Sequence, residues 1–170
     1  MRKEQITIKM IDFYRGNTED ISHFLKVLAF ASTIAAAEGM DEDARDTLEI
    51  AAIVHDIACP LCREKYGNTN GKHQEEESGP LLEEFLAEFH LPDPMRERVI
   101  FLVTHHHTYG QADGMDYQIL LEADYLVNAG ESPLYARSLE QFRKNVFRTE
   151  TGRRLLDSIY GPPVEAACPI

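Results

Sequence analysis

The chain has no tryptophan, only three cysteines, and far fewer basic than acidic residues. Each shortage excludes something. Two of the cysteines lie in Cys59-Pro60-Leu61-Cys62 and the third is Cys168, a poor basis for the disulfide framework of a small secreted domain. Lys and Arg total 17 against 29 Asp and Glu, a formal net charge of -12. Duplex nucleic acid is therefore not an expected partner, because gripping its backbone needs clustered basic side chains. No run approaches the roughly 18 apolar residues of a membrane span. The opening MRKEQITIKMIDFYRGN has no apolar stretch of the signal-peptide kind. A cytoplasmic protein without a membrane partner is the expectation. Repeats, low-complexity tracts and linkers are missing as well, so one domain is expected over residues 1–170. At 44% hydrophobic, 170 residues can bury a sizeable core.

Strand-like alternation is also absent, and helix signals dominate. Residues 4–14 can form a first helix. Asn17-Thr18 caps a second, which runs to Ala37 with Gly39 just beyond its end. Asp41 opens a third, to about Ala58, where Pro60 fits a stop. Residues 60–72 read as loop. A helix follows over 74–89, with a break or fresh start at Ser78-Gly79-Pro80. Asp93-Pro94 starts another, to about His107. The last helices span Asp116–Ala129, Ser132-Pro133 to about Val146, and 150–160. The expected fold is an all-α bundle of about six to eight helices.

Polar residues sit where these helices should face inward. His23 shares a stripe with Val27, Phe30 and Ile34; His55 with Leu48, Ala51 and Ala52; Asp124 with Leu120, Leu121 and Val127. Asp56 adjoins His55. A buried unpaired carboxylate is costly and calls for a partner. One divalent metal accounts for all four groups together, and imidazole with carboxylate suits Mn, Fe, Ni, Zn or Co.

The set His23, His55-Asp56, Asp124 in an all-helical chain resembles the HD-domain superfamily of metal-dependent phosphohydrolases. The resemblance covers roughly residues 20–130, and the helices and tail after it, about 131–170, carry no legible chemistry. AAIVHDIA is similar to the family's apolar-HD helix, and LLEADYLVN to its closing Asp helix. The resemblance implies that these four side chains hold one metal, with Asp56 able to bridge to a second.

THHHTYG, residues 104–110, resembles the His or His-His that follows the HD pair in two-metal members. Neighbours on a helix lie about 100° apart, so His105, His106 and His107 cannot all face one site. His107-Thr108-Tyr109-Gly110 matches the His-Thr-x-Gly ending of HD-type symmetrical diadenosine tetraphosphate hydrolases, whereas counting back from Asp124 favours His106. A further ligand is implied between the HD pair and the triplet. His73 is the imidazole candidate, but its spacing to Gly79 is long by two residues, and strict spacing selects Glu75, with Glu77 as another carboxylate. Cys59 stands where many members carry Lys or Glu, so phosphate binding falls to Arg63, Lys65 or Lys72. The cysteine pair reads as helix-end packing rather than a zinc or redox site.

The resemblance implies hydrolysis of a phosphate ester or anhydride, of a nucleotide or other small phosphorylated metabolite, by a metal-activated water. Asp56 and His106 would be the catalytic side chains. A di-iron oxygenase of HD type and a non-catalytic metal-containing module are the alternatives. One metal or two, and a homo-oligomer, are all compatible with the sequence.

Overall fold

Caps that are legible in the sequence start several helices. The side chains of Asn17, Asp41, Asn70 and Thr149 accept hydrogen bonds from backbone N–H groups of the first turns they precede. The computed structural model describes residues 2–162, and these are all-α, with no strand among them. In order the elements are α1 (Arg2–Phe13), α2 (Thr18–Ala37), α3 (Glu42–Val54), α4 (Cys59–Tyr66), α5 (Gly71–Leu86), a 3-10 turn (Ala87–Phe89), α6 (Asp93–Val103), α7 (Met115–Glu131), α8 (Pro133–Ala136), α9 (Leu139–Asn145) and α10 (Glu150–Tyr160). Eight of these helices, α1–α7 and α10, have eight or more residues among the described residues. Cys168 lies outside the described residues.

Helix α3 is buried on every side from Thr47 to Val54, the mark of a central helix. It packs against α1, α2, α6 and α7. Helix α2 lies between α3 and α7, and its Phe24, Val27, Ala31 and Ile34 are fully buried. It is also long and apolar enough, by length and composition, to cross a membrane, although no such run is evident to the eye in the sequence. Here that apolar face belongs to the core shared with α3 and α7. Gly39, in the left-handed region at φ 74°, follows its end as expected.

Several boundaries differ from the sequence expectation. First, α3 stops at Val54, and His55 to Ala58 form a tight turn closed by Cys59 N–H to Asp56 O at 2.8 Å. Second, a helix, α4, replaces most of the expected loop over 60–72. Pro60 lies in its first turn, where a missing N–H costs nothing. Third, α5 runs unbroken through Pro80. Losing one backbone bond there is offset by burial of Leu82, Phe85 and Leu86 beyond it, each worth about 1.5–3 kcal/mol when fully buried. Fourth, α6 ends at Val103, so the histidine triplet lies in turns, and the segment after Ser132 splits into α8 and α9.

Candidate metal centre

The inward stripes of α2, α3 and α7 meet at one point. His23 Nε2 lies 3.2 Å from His55 Nε2 and 3.2 Å from Asp124 Oδ1. Asp56 Oδ2 is 3.5 Å from both imidazole Nε2 atoms, and Asp124 Oδ1 is 3.5 Å from His55 Nε2. The other carboxylate oxygen of Asp56, Oδ1, faces His106 Nε2 at 3.6 Å. His107 joins Asp56 and His106 in a second cluster whose donor atoms all lie within 4.8 Å of one another. Asp56 is therefore shared by two groups of candidate ligands, one on each of its oxygens.

The hydrogen bonds fix which nitrogen of each ring is free. His55 Nδ1 lies 2.9 Å from Ala52 O, and His106 Nδ1 lies 2.7 Å from Val103 O. A carbonyl only accepts, so each Nδ1 carries the hydrogen. His23 Nδ1 lies 2.8 Å from Glu131 Oε2, again an acceptor. In the neutral rings all three Nε2 lone pairs thus point at Asp56, Asp124 or one another. His106 Nε2 and His107 Nε2 are buried with no hydrogen-bond partner. Lone pairs and carboxylates converge here with Asn128 as the one neutral side-chain donor to them, an arrangement that a cation would balance, so this donor set fits a divalent metal.

The charges agree. Burial opposes protonation of His23, but the hydrogen bond to Asp124 and the charges of Asp56 and Asp124 outweigh it and push its pKa up to about 10. Burial raises the Asp56 and Asp124 carboxyls, yet the surrounding histidines hold both well below the usual range. His106 is raised, burial again being overcome by Asp56. His107 is lowered to about 3 by burial and by its neighbour His106, so it is a neutral donor at neutral pH.

Around this cluster the fold supplies supports that the sequence reading missed. Tyr14 donates its hydroxyl to the Asp56 carbonyl at 2.5 Å and pins the turn. Asn128 donates to Asp124 Oδ1 at 2.8 Å. Glu131, which orients His23, is also held by Lys26 at 2.8 Å. Asn128 and Glu131 follow Asp124 by four and seven residues, so α-helical spacing contained the signal. A cleft of about 280 Å³ opens over the cluster, lined among others by His23, Asp56, Asp124, His107, Gln74, Arg63 and Tyr135.

Several expected site residues are placed elsewhere. His105 turns its Nδ1 to Phe101 O at 2.8 Å and stacks on the Phe101 ring, away from the cluster. Its backbone is already in the turn beyond α6, so helical periodicity does not apply. His73 stacks on Tyr66 at 3.9 Å and does not line the cleft. Glu75 accepts from His107 N–H at 3.1 Å and from the Thr108 hydroxyl at 3.0 Å, and it does not line the cleft. Glu77 is taken by Lys65 and by the Tyr66 hydroxyl. That ion pair turns Lys65 from the cleft, and Lys72 is exposed beside Glu76. Arg63 does line the cleft, with both guanidinium arms on Asp20 at 2.5 and 2.8 Å. His106, expected as a catalytic side chain, is fully buried behind Asp56 and does not line the cleft. Cys59 and Cys62 are free and buried, and neither belongs to the metal-capable clusters.

An all-helical protein with a shared carboxylate between two histidine clusters is the class that fold and site define. The HD-domain family model matches residues 20–141, more than half the chain and every residue of both clusters, and the chain belongs to this family. HD domains bind divalent metals and are generally metal-dependent hydrolases. Among curated protein sequences none matches this chain.

Proposed function

We propose that the chain is a metal-dependent phosphohydrolase, cleaving a phosphate ester or anhydride of a nucleotide or other small phosphorylated metabolite. The observation that carries the reading is the convergence of His23, His55, Asp56 and Asp124 on one point at the floor of an open cleft. A bound divalent ion supplies a water whose pKa falls from about 15.7 towards roughly 7, and a Lewis acid for a phosphoryl oxygen. His23, His55, Asp56 and Asp124 would hold the first ion, and Asp56, His106 and His107 a second. Glu131, Ala52 O and Val103 O fix the tautomers that aim Nε2 inward. Asp56, at the cleft floor and held below its usual pKa, would be ionised and would orient the water that such an ion supplies by accepting a hydrogen bond from it. Arg63 is pre-aligned by Asp20, and its remaining N–H groups are free to meet a phosphate oxygen. The cleft volume of about 280 Å³ lies just below the range of typical ligand pockets, about 300–1,000 Å³, which favours a small metabolite over a polymer.

The test is the metal content of wild type and Asp56→Ala, purified without chelator or tag metal, with phosphate release measured on a panel of esters and anhydrides. Metal and hydrolysis should both be present in wild type and both be lost in the variant. Full metal-dependent turnover by Asp56→Ala would refute the reading. The second cluster also suits a di-iron oxygenase. Two irons per chain with oxygen uptake and no phosphate release would move the assignment there, and metal without either activity would favour a non-catalytic module.

A further inference from the structure

Gln74 is 4% exposed, and its Oε1 is buried without a hydrogen-bond partner. Its amide cannot be flipped to relieve this. Nε2 donates to Thr69 O at 3.0 Å, and a reversed amide would set two carbonyl oxygens against each other. The free oxygen is thus held in place, on a residue that lines the cleft above Asp56. The first turn of α5 locates it further. A Cβ on Gly71 would lie 2.6 Å from His107 Cγ, so the His107 ring rests directly on the helix there. Gln74 is three residues on and shares that helix face. Glu75 ties the same turn to the His107 backbone. Gln74 Oε1 is thus a buried, unpartnered oxygen of the cleft wall, on the helix face against which the His107 ring rests, and His106 Nε2 and His107 Nε2, which cluster with Asp56, are buried and unpartnered as well.

We propose that Gln74 Oε1 completes a second metal site with Asp56, His106 and His107. This rests on the reading of the clusters as a metal centre. The donor set makes a statement about order. The first site has two carboxylates, Asp56 and Asp124, whereas the second has only the shared Asp56 and a neutral amide oxygen. Lower ligand charge gives weaker binding of a divalent ion, so the first site fills before the second.

The test is a Mn²⁺ titration of the demetallated full chain, read as bound ions per chain and by the spin-coupled EPR signal of a Mn pair. Wild type should bind two ions in succession. Gln74→Leu, which keeps the bulk and removes the oxygen, should weaken the second ion about tenfold or more and leave the first unchanged. Gln74→Glu should tighten the second ion, and this variant decides the matter if Gln74→Leu does not fold. A single ion in wild type at saturating Mn²⁺, or a second ion unchanged in a folded Gln74→Leu or in Gln74→Glu, would overturn the proposal. The readout counts ions, so loss of phosphate release alone would fault the proposed reaction and not this site.

Discussion

Alanine at Gly71 should damage the site through sterics alone. The backbone there is not in the left-handed region, so an L side chain meets no conformational strain. The added Cβ would meet His107 Cγ at 2.6 Å, with Cβ and Cδ2 at 2.8 Å. Carbon atoms rest at about 3.5–4.0 Å, so ring or helix must yield by roughly 1 Å. The ring has little freedom, because Glu75 holds the His107 N–H and the His106 ring lies 3.9 Å away, centroid to centroid. Overpacking of this kind costs about 1–3 kcal/mol. The gain in helix propensity offsets at most about 1 kcal/mol, and less in a first turn. A net loss of about 1–2 kcal/mol lowers the melting temperature of a chain this size by roughly 2–8 °C. If the ring swings aside instead, the loss appears as weaker binding of the second ion. Melting of the metal-free protein by circular dichroism, paired with a Mn²⁺ titration, covers both routes. A Gly71→Ala protein that melts no lower than wild type and titrates like it would refute the placement of His107 against α5.

Glu131→Gln should weaken the first ion by about tenfold or more, because the amide orients His23 less firmly; Lys26→Ala, removing a half-exposed partner of Glu131, should change it far less in the same titration. Glu122 is fully buried and accepts from Arg148 N–H at 2.6 Å, Thr149 N–H at 3.0 Å and Gln118 at 2.7 Å, so Glu122→Ala strands backbone donors worth about 1–3 kcal/mol each. Urea unfolding should show a loss on the order of 3 kcal/mol with metal stoichiometry unchanged; a loss of metal would mean that α10 supports the site. The raised pKa of His23 predicts that a metal ion displaces a proton: from its ordinary 6.5 up to about 10 the metal-free protein holds that proton, so apparent affinity should rise with pH across this window. Calorimetry near pH 8 in two buffers of different ionisation enthalpy should register the release, and no release would contradict the protonation of His23 in the metal-free protein.

Much of this was legible because burial and periodicity speak together. His23 and Asp124 could be placed inward from the apolar residues four and three positions away, and both sit at the cluster. The caps at Asn17 and Asp41 were readable from residue type alone. The histidine triplet was not, because α6 ends at Val103 and turn geometry, not helical spacing, decides that His106 and His107 enter while His105 leaves. The role of Gln74 was hidden for a related reason. Counting from Gly79 selected Glu75, but the start of α5 at Gly71, set by the Asn70 cap, turns Gln74 to the cleft and Glu75 to the His107 backbone. Long-range ion pairs, such as Arg63 with Asp20 or Lys65 with Glu77, leave no local trace in a sequence.

Four of the shifted groups in the cluster move in the sense that holds positive charge beside the carboxylates, and only His107, lowered by burial and by His106, moves the other way. His23 and His106 rise, and Asp56 and Asp124 fall. Without metal, protons serve as the missing cations, and their contribution to stability is present below the ordinary histidine pKa and is lost as pH rises through the raised one. A divalent ion removes that dependence, since it delivers two charges at one point and needs only the lone pairs already aimed at it. The cost of aiming them is met by the core: α3 is buried all round, and Tyr14 holds the His55-Asp56 turn by its backbone carbonyl. His55 and Asp56 accordingly sit in a tight turn that directly follows a helix buried from Thr47 to Val54. A turn held in this way keeps together lone pairs that would otherwise move apart, and such preorganisation is what a divalent ion would need in order to bind there.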